Sequence, residues 1–174
     1  LNSGEYLANV IINSNDPNES QVSVAASLSV TGAPNIAVAT DSLDFGNIYI
    51  GLADILYLQI INTGTDVLTI SDIEATGGGF NTFFTTPFII DLGQSFFQPV
   101  YFQPAEVGLE QGTLIITSDD SDGDIVSVTL YGTGLIAPDI TVSPDSLHAD
   151  LFAGDTETKI LTILNDGGSD LEWS

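Results

Sequence analysis

The chain has 174 residues, with 24 acidic side chains against one lysine (Lys159), one histidine, and neither arginine nor cysteine. A formal net charge of −23 excludes nucleic acid, because displacing counterions from phosphates takes Lys and Arg, and it disfavours anionic membrane surfaces. Hydrophobic residues make up 43%, too many for a disordered acidic tail, and no apolar run approaches the roughly 18 residues needed to insert into a membrane.

The absence of cysteine removes disulfides and thiolate chemistry, so stability must come from core burial. There is no methionine and no signal peptide, so the chain reads as a piece of a longer or processed polypeptide. Its acidity suits a salty setting, calcium binding, or the solubility of an extracellular surface.

In chain order, strands are predicted over Val22–Val30, Ile55–Ile61, Thr113–Thr117 and Ile125–Leu130. All are rich in Val, Ile, Thr and Tyr, and several alternate apolar with polar residues. Turn clusters separate them: Asn13 to Pro17, Asn62-Thr63-Gly64, Thr76 to Gly79, and Ser118 to Asp124. Phe45-Gly46 is expected to end a strand where glycine permits a close crossing. Gly64 is expected to complete a hairpin-type turn through positive φ. No window has helical spacing, and the class is all-β.

Internal repetition is the strongest signal. PNIAVATDSL (34–43) recurs as PDITVSPDSL (138–147), and Leu58 to Gly64 recurs as Leu161 to Gly167, a spacing close to 104 residues. In the other direction, Ile11-Ile12-Asn13-Ser14-Asn15-Asp16 recurs as Ile115-Ile116-Thr117-Ser118-Asp119-Asp120. Three units follow: 1–33 as the C-terminal part of one domain, 34–136 as a complete domain, and 137–174 as the N-terminal part of another. The architecture expected is tandem immunoglobulin-like β-sandwich repeats.

Ser42 to Gly46, Asn62-Thr63-Gly64, Gln103-Pro104 through Gly112, Ser118-Asp119-Asp120 and Gly132-Thr133-Gly134 together resemble the ASH (ASPM–SPD-2–Hydin) and choice-of-anchor group of immunoglobulin-like repeats. The resemblance covers the whole middle unit and implies long bacterial surface or secreted proteins. The flanks, with Asn165 through Trp173 and with Ser3 to Tyr6, resemble a Trp-containing, BACON-type variant. His148-Ala149-Asp150 there replaces the Phe-Gly signature. Trp173 is expected in a sandwich core.

Catalysis has little to draw on. His148 stands where the middle unit has Asp44, no nucleophile–base–acid set can be assembled around it, and Lys159 reads as a solvated strand residue. The best chemical candidate is the turn holding Asp119, Asp120, Asp122 and Asp124. Hard cations want several oxygens from a flexible loop, which makes calcium the one candidate cofactor, with a plain acidic turn as the competing reading. Asn18-Glu19-Ser20 is a glycosylation sequon, and Asp41-Ser42-Leu43 and Asp145-Ser146-Leu147 resemble an O-glycosylation motif of Bacteroidetes.

The function expected is a non-enzymatic structural or adhesive module of an extracellular fibre, stalk or surface protein. Its partners are copies of itself, joined head to tail by strand complementation between 1–33 and 137–174 as separate subunits or within one long polypeptide. The alternative is a carbohydrate-binding or accessory module of a secreted enzyme, with glycans stacking on Phe83, Phe84, Phe96 or Phe97.

Overall fold

The computed structural model describes residues 1–85 and 87–174. Among the described residues there are thirteen strands: β1 (Gly4–Asn13), β2 (Gln21–Val30), β3 (Ile36–Val38), β4 (Ser42–Tyr49), β5 (Asp54–Asn62), β6 (Leu68–Gly77), β7 (Phe80–Thr82), β8 (Phe88–Ile90), β9 (Ser95–Phe102), β10 (Gly108–Ser118), β11 (Ile125–Leu135), β12 (Ile140–Ser143) and β13 (Thr162–Asn165). The all-β expectation holds, and the predicted strands sit inside β2, β5, β10 and β11.

The middle of the chain is an immunoglobulin-like sandwich. One sheet has the order β4-β11-β10-β6-β8 and the other β3-β5-β9-β7. Alternation sends Leu58, Ile60, Val100, Phe102, Leu114, Ile116, Val128 and Leu130 inward, and all are fully buried. On β10 and β11 the alternating positions Thr113, Thr117, Ser127 and Thr129 are polar, which fixes the register there: a slip by one would turn the apolar face to solvent.

Three rings fill one end of the core. Phe80 stacks on Phe102 at 4.7 Å, and Phe45 tilts against both at 5.8 and 5.6 Å. Their room comes from bare backbone. A Cβ on Gly132 would lie 2.6 Å from Phe102 ring atoms, and one on Gly112 would lie 2.6 Å from the ring of Phe80.

Two glycine roles differ from expectation. Gly46 is the residue with positive φ, at +64° with open space where a Cβ would be. It lies at a register shift in the parallel β4–β11 pairing, so β4 bulges there and continues to Tyr49 instead of ending. Gly64 does not have positive φ, and the link it serves joins β5 to β6 in opposite sheets. Its requirement is closeness, since a Cβ would fall 2.5 Å from the Asn35 nitrogen.

Two buried polar groups tie the sheets together. Asn62 ends β5, and its amide donates to the carbonyls of Asp66 (2.8 Å) and of Ile90 on β8 (2.9 Å), while its Oδ1 accepts from Gly64 N–H at 2.9 Å. Asp120, in the β10–β11 turn, accepts through Oδ2 from Ile36 N–H of β3 at 2.9 Å.

On either side of the sandwich lies a two-stranded hairpin, β1–β2 and β12–β13. The register of β1–β2 matches that of β10–β11: Gly4↔Val30 and Ile12↔Val22 answer Gly108↔Gly134 and Ile116↔Val126. That of β12–β13 matches β3–β5, with Ile140↔Asn165 answering Ile36↔Asn62. The apolar side chains of these hairpins are uncovered. Val10, Ile12 and Val24 are 53%, 50% and 47% exposed, whereas Leu114, Ile116 and Val128 at the matching positions are fully buried. Trp173 is exposed as well, because the strands that would surround it as a core residue are not packed against this hairpin.

The hairpins abut the sandwich through small contacts. Ser3 N–H donates to the Thr65 carbonyl at 3.2 Å, and a Cβ on Gly32 would fall 2.7 Å from that same oxygen and 2.9 Å from the Cβ of Asp66. On the other side Ser169 Oγ donates to the Ile136 carbonyl, and Ile136 covers Gly168, where an added Cβ would lie 2.6 Å from its own.

Phe45→Ala should cost about 3–5 kcal/mol, the usual range for emptying a buried aromatic site. Chemical denaturation would read this as a lower midpoint at an unchanged m-value. An unaltered midpoint would contradict the inward placement of Phe45.

Candidate functional site

The acidic turn is shaped by its own hydrogen bonds. Ser118 N–H reaches the Asp124 carbonyl at 2.8 Å and closes the loop. Asp120 N–H donates to Ser118 Oγ at 3.4 Å, and Asp120 Oδ1 accepts from Asp122 N–H at 2.9 Å. This is an Asx-type turn, in which a short side-chain carboxylate stands in for backbone. Asp119 bridges to β6, accepting from Thr69 N–H at 2.8 Å and donating its own N–H to the Thr69 carbonyl at 3.1 Å.

Of the four expected calcium ligands, the fold thus engages Asp119 and Asp120 with backbone N–H groups. The side chains of Asp122 and Asp124 point from a solvent-facing loop. Among the described residues no three His, Asp or Glu side chains gather as a metal-holding group. Calcium takes six to eight oxygens, so a cation here would compete with the amides that now hold Asp119 and Asp120.

Asp120 is 3% exposed. The N–H of Asp122, then that of Ile36, hold its carboxyl below the ordinary carboxylate range, Gly123 N–H adds to this, and burial opposes it. The first piece carries the same turn. Asp16 N–H donates to Ser14 Oγ at 3.2 Å, Asp16 Oδ1 accepts from Asn18 N–H at 2.8 Å, and Ser14 N–H reaches the Ser20 carbonyl at 2.9 Å. In the sequence a carboxylate that closes a sandwich looks the same as one that binds a cation. The backbone N–H bonds of Asp120, repeated in the turn of Asp16, point to the first role.

The aromatic candidates divide into two groups. Phe84, Phe88 and Phe96 form a chain of rings with centroids 6.0 and 4.5 Å apart at one edge of the sandwich, and Phe96 has the inward parity of β9. Phe97 points out, as adjacent rings on one strand require, and is 56% exposed. Phe83 is 65% exposed and meets Tyr101 edge-on at 5.1 Å. These two, with Asn81, Gln103, Ala53 and Gly79, line a cleft of about 360 Å³. Tyr101 was missed by sequence reasoning, and its place two residues beyond Pro99 on an outward parity was the available clue.

The remaining candidates are brought to no common site. His148 and Asp150 face each other at 3.1 Å, both in open solvent, and Lys159 pairs with Glu157. Asn18, of the sequon, lies on the exposed β1–β2 turn. Ser42 Oγ and Ser146 Oγ each lie near the carboxylate of the preceding aspartate, at 3.3 and 3.4 Å.

Two measurements test the acidic turn. A folded-state pKa held below its unfolded value contributes stability that is present above the unfolded value and disappears as pH falls through the folded one. Asp120→Asn should therefore lower the denaturation midpoint at neutral pH, and the difference from the parent should shrink in strong acid; a pH-independent difference would contradict the clasp. Thermal melts in calcium and in chelator test the cation: a bound ion raises the midpoint, and coincident curves leave the turn purely structural.

A family model described as HYDIN/CFA65/VesB-like, Ig-like domain matches residues 34–133, the sandwich without its flanking hairpins. No curated protein matches the chain. Among solved structures, the ASH/PapD-like domain 7 of human CEP192 is similar at 10% identity over 59% of this chain and 87% of that one, with a TM-score of 0.50. A protein of unknown function from Porphyromonas gingivalis W83 is similar at 15% identity and TM-score 0.52, covering 75% of this chain and 66% of that one, just under two thirds. The secreted serine protease VesC of Vibrio cholerae matches at 19% identity over 53% of this chain but 21% of its own, with a TM-score of 0.43, too low to carry an argument. At these identities the likeness is one of fold. The BACON-type resemblance of the flanks lies outside the matched residues. Through residues 34–133, which form its sandwich, the chain belongs to the HYDIN/CFA65/VesB-like family of immunoglobulin-like domains.

Proposed function

We propose that the chain is a non-enzymatic structural and adhesive module of an extracellular fibre, stalk or surface protein, in which immunoglobulin-like domains follow one another head to tail at about the 104-residue spacing of its repeats. The observation that carries this reading is the matched register of the hairpins. β1–β2 has the pairing of β10–β11, and β12–β13 has the pairing of β3–β5. Each hairpin exposes the side chains that a complete sandwich buries, and isolated two-stranded sheets are marginal in water.

The polar ties support the same reading. Asp16 carries the turn of Asp120, and Ile140 occupies the position of Ile36, which donates to Asp120. Asn165 repeats two bonds of Asn62: its amide donates to the Ser169 carbonyl at 2.7 Å, and its Oδ1 accepts from Gly167 N–H at 3.1 Å. The two ends thus hold opposite halves of one clasp. Counterparts of residues 72–104, which include β7, β8 and β9, belong to neither end. A composite of the two ends alone would leave β13, the counterpart of β5, without a β9. The acidic surface, with its single cation, suits an extracellular setting in which charge keeps a long protein soluble.

A fusion tests the reading. Two copies of the chain are joined by an added copy of residues 72–104, placed between Ser174 of the first and Leu1 of the second. The expectation is a third cooperative sandwich at the junction. Amide exchange at Val10, Ile12, Ile140 and Val142 near the junction should slow to the level of Leu114 and Ile116. Asp16→Ala in the second copy should weaken the new sandwich alone. Hairpins that exchange as fast in the fusion as in the single chain would sink the proposal.

A further inference from the structure

The outer face of the four-stranded sheet carries no charged side chain on β5, β7 or β9. Phe83, Tyr101, Tyr57 and Phe97 all have outward parity, and Phe83, Tyr57 and Phe97 are 65%, 61% and 56% exposed. The registers place them side by side. Asn81 pairs with Tyr101, Tyr57 pairs with Pro99, and Phe97 lies four residues before Tyr101 on the same strand. At about 3.4 Å per residue the rings on β9 span about 14 Å. The cleft beside Phe83 and Tyr101 closes one end of this strip, and Asn81 and Gln103 are among the residues that line it.

No outward position of β5, β7 or β9 carries a charge. The one acid on these strands, Asp54, opens β5 on the inward parity. Contiguous exposed apolar side chains of this kind mark interaction sites.

We propose that this face is a binding site for a neutral saccharide chain, with Phe83, Tyr101, Tyr57 and Phe97 as stacking platforms and Asn81 and Gln103 as hydrogen-bonding groups. The C–H faces of sugar rings are apolar and lie flat on aromatic rings, and their equatorial hydroxyls present both donors and acceptors at the edge. Side-chain amides and tyrosine hydroxyls answer with both kinds of group. A pocket that is mostly apolar with a few placed polar groups is the usual form of a small-ligand site. Uronates and sulfated sugars are excluded as the ligand class, because the face has no Lys or Arg to pair with them and the chain's net charge of −23 repels them. The site is independent of the end-to-end arrangement, since it involves neither hairpin.

Affinity electrophoresis of the full chain through gels containing mannan, galactan, xylan or mixed-linkage β-glucan tests the proposal, with heparin as the anionic comparison. Retardation is expected in at least one neutral polysaccharide and not in heparin. Phe83→Ala and Tyr101→Ala should each weaken it about tenfold, with thermal melts unchanged for the exposed Phe83. Asn81→Ala should weaken it without touching the rings. Retardation in none of the four neutral polysaccharides would overturn the proposal, leaving the face to an apolar protein partner. So would retardation that survives the Phe83→Ala/Tyr57→Ala/Tyr101→Ala triple variant.

Discussion

The sandwich depends on three phenylalanine rings resting on two bare stretches of backbone. Phe80 and Phe102 lie where side chains on β10 and β11 would otherwise be, and Gly112 and Gly132 leave that space open. Neither glycine has positive φ, so what each contributes is volume. With the rings seated, β7 and β9 can approach β10 and β11 at a distance that no Cβ would permit. Phe45 then closes the cluster from β4. Interiors pack at crystal-like density, and an added methyl group at either glycine would push a ring into its neighbour.

Packing alone leaves a sandwich with two open ends, and in a chain without disulfides the polar ties do the closing. Asn62 fastens β5 to β8 across the sheets, and Asp120 fastens the β10–β11 turn to β3. Both groups are buried with their hydrogen bonds made, the condition under which a buried polar group specifies structure instead of weakening it. The Asp120 bond joins residues 84 apart in sequence. It forms only when the first strand and the last hairpin are both in place.

How much of this was readable beforehand differs by type of residue. Strand alternation and turn clusters carry the all-β class, because burial writes a period of two into the sequence. The repeat of Asp16 at Asp120 was also visible, but its meaning was not. A carboxylate in an Asp-rich turn looks the same whether it faces a cation or a backbone N–H from another strand. Sequence context suggests close approach at Gly46 and positive φ at Gly64, and the fold has the two roles exchanged. Positive φ and close approach both call for glycine, and only the path of the neighbouring strand separates them. The aromatic face was half legible. Adjacent Phe96 and Phe97 had to point opposite ways, yet which of them met the core depended on register, and Tyr101 joined Phe83 only through the pairing of β7 with β9.

The contacts that flank the sandwich differ in one further respect. At one corner a glycine, Gly32, fits beneath Thr65 and Asp66; at the other a bulky residue, Ile136, covers a glycine, Gly168. The two corners are therefore a matched pair of opposite casts. An isoleucine brought to the Thr65 corner would find even its first side-chain carbon within 2.7 Å of a carbonyl oxygen, and a glycine brought to the Gly168 corner would leave a hollow. Neighbouring segments cannot be exchanged without cost, and the order in which they follow one another is written into the shape of each joint.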